Sequence, residues 1–239
     1  MREYQDCYIA FIDLLGFKEL VKKEKCETIA SYFDKITEEY IIENQNSGSV
    51  LVDFDSIIKR KIMSDTICLY VDASKKNSLA SIVAACSYFQ VKMLRMSEPV
   101  LTRGSIVRGN IFNNEDVTFG EGVSEAYLLE ENVAKNPRII IKKAVIDNSD
   151  NDKEGKEYIE TYVYDDGDGF YTLDYLLLFC GLDKAGNMWN KFSNYVRKTI
   201  DSCTDTSILK KYLYIEKSIE RAKIRYDKYF SMKLAETRN

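Results

Sequence analysis

Cys7 to Leu14 is a short apolar run that closes on Asp-Leu-Leu-Gly-Phe, after which Leu20, Ile29, Phe33, Ile36 and Tyr40 recur at helical spacing. This pattern predicts a strand followed by a helix. Beyond a polar turn at Gln45 to Ser49, two β-rich runs, Phe54 to Met63 and Thr66 to Val71, are separated only by Ser64 and Asp65, a hairpin signature. Ser78 to Met96 carries apolar residues on a helical period and stops before Pro99, so it reads as a long core helix. Val100 to Phe112 and Val117 to Phe119 read as strands around a turn at Asn113 to Asp116. A helix from Gly120 to about Ala134 and a short strand from Arg138 to Ile141 follow.

The order β-α-β-β-α-β with a further helix and strand predicts an α/β (α+β) chain, a ferredoxin-like βαββαβ sandwich with its helices on one face of the sheet. Residues 1–147 would form this core and 148–239 a C-terminal extension packed on it. In the extension, Asn148 to Gly155 reads as a loop, Tyr158 to Tyr164 as a strand and Asp165-Asp-Gly-Asp-Gly169 as a turn. Three helices follow: Phe170 to Cys180, Met188 to Cys203 and Ser207 to about Lys233. The acidic-Gly turn lacks the twelve-residue loop and terminal Glu of an EF-hand, which argues against calcium.

Composition narrows the chemistry. The chain has 239 residues and no histidine, which excludes Ser-His and Cys-His nucleophilic sites and His-ligated zinc. Carboxylates, lysines, arginines and tyrosines must carry any reaction. Six cysteines without a CxxC pair read as reduced core residues of a cytosolic protein. There is no signal-peptide h-region and no apolar run near the roughly 18 residues that span a bilayer, so a cytoplasmic protein without membrane insertion is expected. A net charge of -4 provides no general field for nucleic acid, although Lys59-Arg60-Lys61 could meet a small phosphate.

Asp13 ends the first strand and Asp65 sits in the hairpin 52 residues later. In a βαββαβ sheet those two positions can be neighbours, and a pair of carboxylates there can hold Mg²⁺ or Mn²⁺ with waters and substrate phosphates completing the shell. A capping Asp and a turn Asp is the plainer reading of the same residues.

The words around each carboxylate favour the former. Ala10-Phe-Ile-Asp13-Leu-Leu-Gly-Phe17 and Lys61-Ile-Met-Ser-Asp65 resemble the two metal-binding signatures of class III nucleotidyl cyclases. Leu101-Thr-Arg103-Gly-Ser-Ile-Val-Arg-Gly109 resembles their Arg-bearing strand, and Phe119 to Glu130 the helix after it. With Asn-Pro-Arg-Ile at 136–139, the set is most similar to the stand-alone bacterial pyrimidine cyclases of antiphage defence. That resemblance implies conversion of UTP or CTP to the 3',5'-cyclic monophosphate and pyrophosphate. It further implies two Mn²⁺ or Mg²⁺ ions per site, a homodimer with composite active sites, and a separately encoded effector that senses the product.

Carried onto this chain, the resemblance makes Asp13 and Asp65 the metal ligands and Arg103 a recurring catalytic arginine. The backbone around Leu14, Gly16 and Phe17 would cradle the triphosphate, as the opening of a helix can. Lys61 falls at a base-reading position whose partner is Val117. That loss of an acidic or thiol residue argues against a purine, although Lys61 itself keeps an adenylate cyclase in play. Ser124 and Leu128 replace the family's transition-state asparagine and arginine, and Tyr127 lies beside them. A cation must then be supplied from elsewhere, with Arg103, Arg108, Arg138 and Lys142 as candidates. If none reaches the phosphates, the chain is a catalytically inactive nucleotide-binding module.

Overall fold

The computed structural model describes residues 3–30, 33, 58–183 and 185–236, with side chains to residue 229. One twisted sheet organises the chain. Its strands are β1 (Gln5–Leu14), β2 (Lys59–Met63), β3 (Thr66–Asp72), β4 (Thr102–Asn113), β6 (Ile139–Lys142), β7 (Val163–Asp165) and β8 (Phe170–Leu173), in the spatial order β2-β3-β1-β4-β6-β8-β7. The two-residue β5 (Thr118–Phe119) pairs back on β4. All pairings are antiparallel except β4 with β6. The first four strands therefore lie as β2-β3-β1-β4, the arrangement a split βαββαβ unit requires, and the mixed α/β class read from the sequence is what the chain adopts.

The helices do not share one face, contrary to the sequence expectation. On β1, Tyr8, Ala10, Ile12 and Leu14 point into a core shared with α2 (Ser78–Leu94), while Cys7, Ile9 and Phe11 point the other way, toward Ala126, Val123 and Leu129 of α3 (Glu121–Asn132). Successive residues of a strand face opposite sides, and β1 is apolar at both sets of positions. A run of that kind signals burial on two faces. Ser105 Oγ donates to the Ala126 carbonyl at 2.7 Å, pinning α3 to β4.

α2 is buried along nearly its whole length because the sheet covers one side and two later helices cover the other: α5 (Lys153–Tyr162) and α6 (Tyr175–Leu182). α7 (Asn187–Ser202) and α8 (Thr206–Glu236) close a second apolar cluster around Phe179, Phe192 and Ile215. The short α4 (Lys143–Asp147) follows β6.

Several local expectations are corrected. The first helix is interrupted: α1 covers only Phe17–Lys23, Glu24 is extended, and helix resumes over residues 26–30. The remainder of that predicted helix and the N-terminal part of the Phe54 to Met63 strand lie outside the described residues. Within Asn148 to Gly155 and Tyr158 to Tyr164, the chain forms α5, capped by the Asp152 carboxylate accepting from Gly155 N at 3.0 Å, and becomes a strand only at Val163. Phe170 to Leu173 is strand β8, and the helix expected there starts at Tyr175 after Asp174 caps it. Of the six cysteines, Cys7, Cys68 and Cys86 are buried, Cys180 and Cys203 are partly so, and Cys26 is exposed. Among the described residues, no helix is long and apolar enough to cross a membrane.

Candidate functional site

Register brings the motif residues together. Asp13 pairs with Thr66 across β3 and with Arg103 across β4. Asp65 lies in the two-residue turn just before Thr66, entered through Ser64 at φ +58°, and its carbonyl accepts from Leu14 N at 2.9 Å. The carboxylates of β1 and of the β2–β3 turn are thus held at the same end of adjacent strands. Asp13 points to the α3 face, as do Phe11 and Ile9, because all are odd-numbered on β1.

Behind Asp13, Arg103 Nε donates to Asp13 Oδ2 at 3.0 Å and stands 2.8 Å from Glu130 Oε1 on α3. Glu130 is buried, its side chain 5% exposed. Burial pushes its carboxyl above the usual range, with Arg103 opposing that rise. Sequence reasoning gave Glu130 no role, yet it was marked: Gly122, Ala126 and Glu130 recur every four residues on the buried stripe of α3. A charge on such a stripe needs a partner.

Gly16 opens α1 in the left-handed region at φ +81°. Leu14 is in the core, and the amides of Leu14 and Leu15 are spent on the carbonyls of Asp65 and Leu101. Glu19 N and Leu20 N donate to the Gly16 carbonyl, so the donors left for an anion at the start of α1 are the amides from Gly16 to Lys18. Gly16 and Phe17 also line a cavity of about 320 Å³ with Leu101, Tyr195, Lys211 and Tyr212, so α7 and α8 reach this loop.

Farther along the same face, Lys61 Nζ donates to the Glu115 carbonyl at 2.8 Å. The β4–β5 turn therefore folds over the sheet, bringing Val117, 47% exposed, into the neighbourhood of Lys61. On α3, Ser124 Oγ bonds back to the Gly120 carbonyl, Tyr127 meets the Phe11 ring edge-on at 5.6 Å, and Leu128 is exposed. Each cation put forward to replace a missing arginine is already paired. Arg108 is 2.8 Å from Asp6, Lys142 is bonded to Glu125, and Arg138 is buried between Asp166 and Asp168.

Among the described residues, no three metal-binding side chains converge. What the site offers is two aspartates, and hard oxygen donors in that number suit Mg²⁺ or Mn²⁺, which keep several waters and borrow phosphate oxygens. The donor set fits such an ion.

No family model matches the chain, and no curated protein does. The chain is similar to solved structures of cyclase domains. The adenylyl cyclase CyaB from P. aeruginosa is 15% identical, with 72% of this chain and 95% of that one covered and a TM-score of 0.45. The guanylyl cyclase domain of the RhoGC fusion protein from Blastocladiella emersonii is 14% identical, with 71% and 95% covered and a TM-score of 0.47. An adenylate/guanylate cyclase/hydrolase from Silicibacter pomeroyi is 16% identical, with 72% and 95% covered and a TM-score of 0.47.

Proposed function

We propose that the chain is a metal-dependent nucleotidyl cyclase that converts a pyrimidine nucleoside triphosphate, UTP before CTP, to its 3',5'-cyclic monophosphate and pyrophosphate. The observation that carries the reading is the placement of Asp13 and Asp65, 52 residues apart in sequence, at the same end of adjacent strands beside the opening of α1. Divalent ions held by these two aspartates would acidify the ribose 3'-hydroxyl and neutralise the leaving pyrophosphate. The amides at the start of α1 hold phosphate oxygens, and the Lys61 and Val117 surface receives the base. An apolar residue at 117 gives no polar partner to a purine edge.

The resemblance of the motifs to pyrimidine cyclases supports the further reading of a homodimer that signals through its product to a separate effector in antiphage defence. Exposed Val117, Phe119, Tyr127 and Leu128 on the α3 side give a second copy an apolar surface to cover.

Purified protein incubated with Mn²⁺ or Mg²⁺ and each of ATP, GTP, CTP and UTP, with products resolved by mass spectrometry, tests the reading. A cyclic pyrimidine monophosphate that disappears in Asp65→Ala is expected. A cyclic purine would keep the reaction and overturn the base, leaving an adenylate cyclase if the product is cyclic AMP. The pairing of Arg103, Arg108, Arg138 and Lys142 with the chain's own carboxylates favours a second reading, a nucleotide-binding module without turnover. Metal-dependent triphosphate binding with no pyrophosphate release would identify it.

A further inference from the structure

Arg103 stands in ion-pair range of two carboxylates, and its Nε hydrogen-bonds only one of them. Its Nε carries a single proton, and that proton is directed at Asp13 Oδ2. Glu130 Oε1, though 2.8 Å from the same nitrogen, is buried and receives no hydrogen bond. A buried, unsatisfied carboxylate oxygen is costly, so beside Arg103 the site holds a second acceptor for the guanidinium that Asp13 does not use. Asp13 is also the carboxylate that a divalent ion would use, and an ion pair with arginine competes directly with metal coordination.

We infer that Glu130 is a positioning residue that accepts the Arg103 guanidinium when a divalent cation takes Asp13, so that Arg103 moves between the two carboxylates and Glu130 sets the metal affinity of the site. The inference rests on the reading of Asp13 as a metal ligand and deepens it. With Glu130 ionised, the arginine displaced from Asp13 lands on a compensating charge. Without Glu130, the arginine either stays on Asp13 and blocks the ion, or is left as an uncompensated positive charge beside it. Both outcomes weaken metal binding. Glu130 reaches the site only because α3 approaches β4 closely, with Gly122 against Gly109.

The test is Mn²⁺ binding to the full-length protein, followed by loss of the free-ion electron paramagnetic resonance signal, with no nucleotide and no turnover involved. Glu130→Gln is expected to weaken Mn²⁺ binding by about tenfold or more, the usual size of an outer-shell effect. Arg103→Gln, which removes the competing cation, is expected to tighten it. In the double variant the Glu130→Gln effect is expected to vanish. A Glu130→Gln protein that binds Mn²⁺ like the wild type, or one whose loss persists without Arg103, overturns the inference while the metal site stands. If wild-type binding is absent or survives Asp13→Ala, the site reading itself fails. Should Glu130→Gln not fold, Arg103→Gln alone decides, since unchanged or weaker Mn²⁺ binding there contradicts the competition.

Discussion

Lys61 on the edge strand β2 donates to the main-chain carbonyl of Glu115, 2.8 Å away on a turn that belongs to β4, three strands across the sheet. The bond ties the β4–β5 turn down over the face that carries Asp13. Lys61→Met keeps the stem and removes the donor, so the turn and Val117 with it lose their anchor. Under the proposed activity, KM for the preferred triphosphate is expected to rise about tenfold, the equivalent of roughly 1.4 kcal/mol, with a smaller change in kcat. Steady-state kinetics with all four triphosphates checks this. An unchanged KM and unchanged base preference would remove Lys61 from the base site.

What the chain disclosed in advance follows from how each element is stabilised. β1, β3 and α2 are buried on more than one side, so long apolar runs announced them. The order of the first four strands followed from the βαββαβ sequence of elements, and the placing of Asp13 near Asp65 came with it. α5 was hidden because Tyr158, Ile159, Thr161, Tyr162 and Val163 are all strand-favouring residues. The helix is decided instead by the Asp152 cap and by Tyr158 and Tyr162, one helical turn apart, whose rings meet tilted at 44° with centroids 4.7 Å apart. The pairing of Glu130 with Arg103 and of Asp166 and Asp168 with Arg138 escaped notice for a different reason. The partners are distant in sequence, and no local pattern names a partner 27 or more residues away.

Gly109 and Gly122 make the contact that lets α3 lie on β4. A Cβ on Gly109 would stand 2.8 Å from Gly122 Cα, a backbone atom that cannot step aside without moving the helix. Gly109→Ala is expected to destabilise the fold by about 1–3 kcal/mol, the range for overpacking. It should also weaken Mn²⁺ binding by drawing Glu130 away from Arg103. Urea denaturation midpoints measure the first effect. Combining it with Gly122→Ala should cost less than the sum, because both alanines push on one interface.

Arg138 binds the β6 end of the sheet to the C-terminal helices rather than serving as a free cation. Its side chain is 6% exposed and bonds Asp166 and Asp168, and Asp166 in turn accepts from Tyr214 Oη on α8 at 2.9 Å. Arg138→Met leaves those carboxylates with fewer partners, at an expected cost of about 3 kcal/mol. Hydrogen exchange should show β7, β8 and the adjoining part of α8 losing protection before the Asp13 end of β1 does. Arg138→Lys should recover only part of the loss, since an ammonium lacks the two-pronged geometry that reaches both aspartates.

Asp152 gives the fold an acid-sensitive element. The Gly155 amide first, then Asn77 and Lys76, hold its carboxyl down to about 2, below the roughly 3.9 of an unfolded aspartate. A lowered folded value means that the unfolded chain binds the proton more readily. The stabilisation is therefore complete above about pH 4 and drains away as pH falls toward 2. Asp152→Asn keeps an acceptor for the cap but does not titrate. Its melting temperature should lie below the wild type's at neutral pH, and the two curves should converge as pH falls from about 4 to 2. Parallel curves across that window would place the acid sensitivity of α5 in some other group.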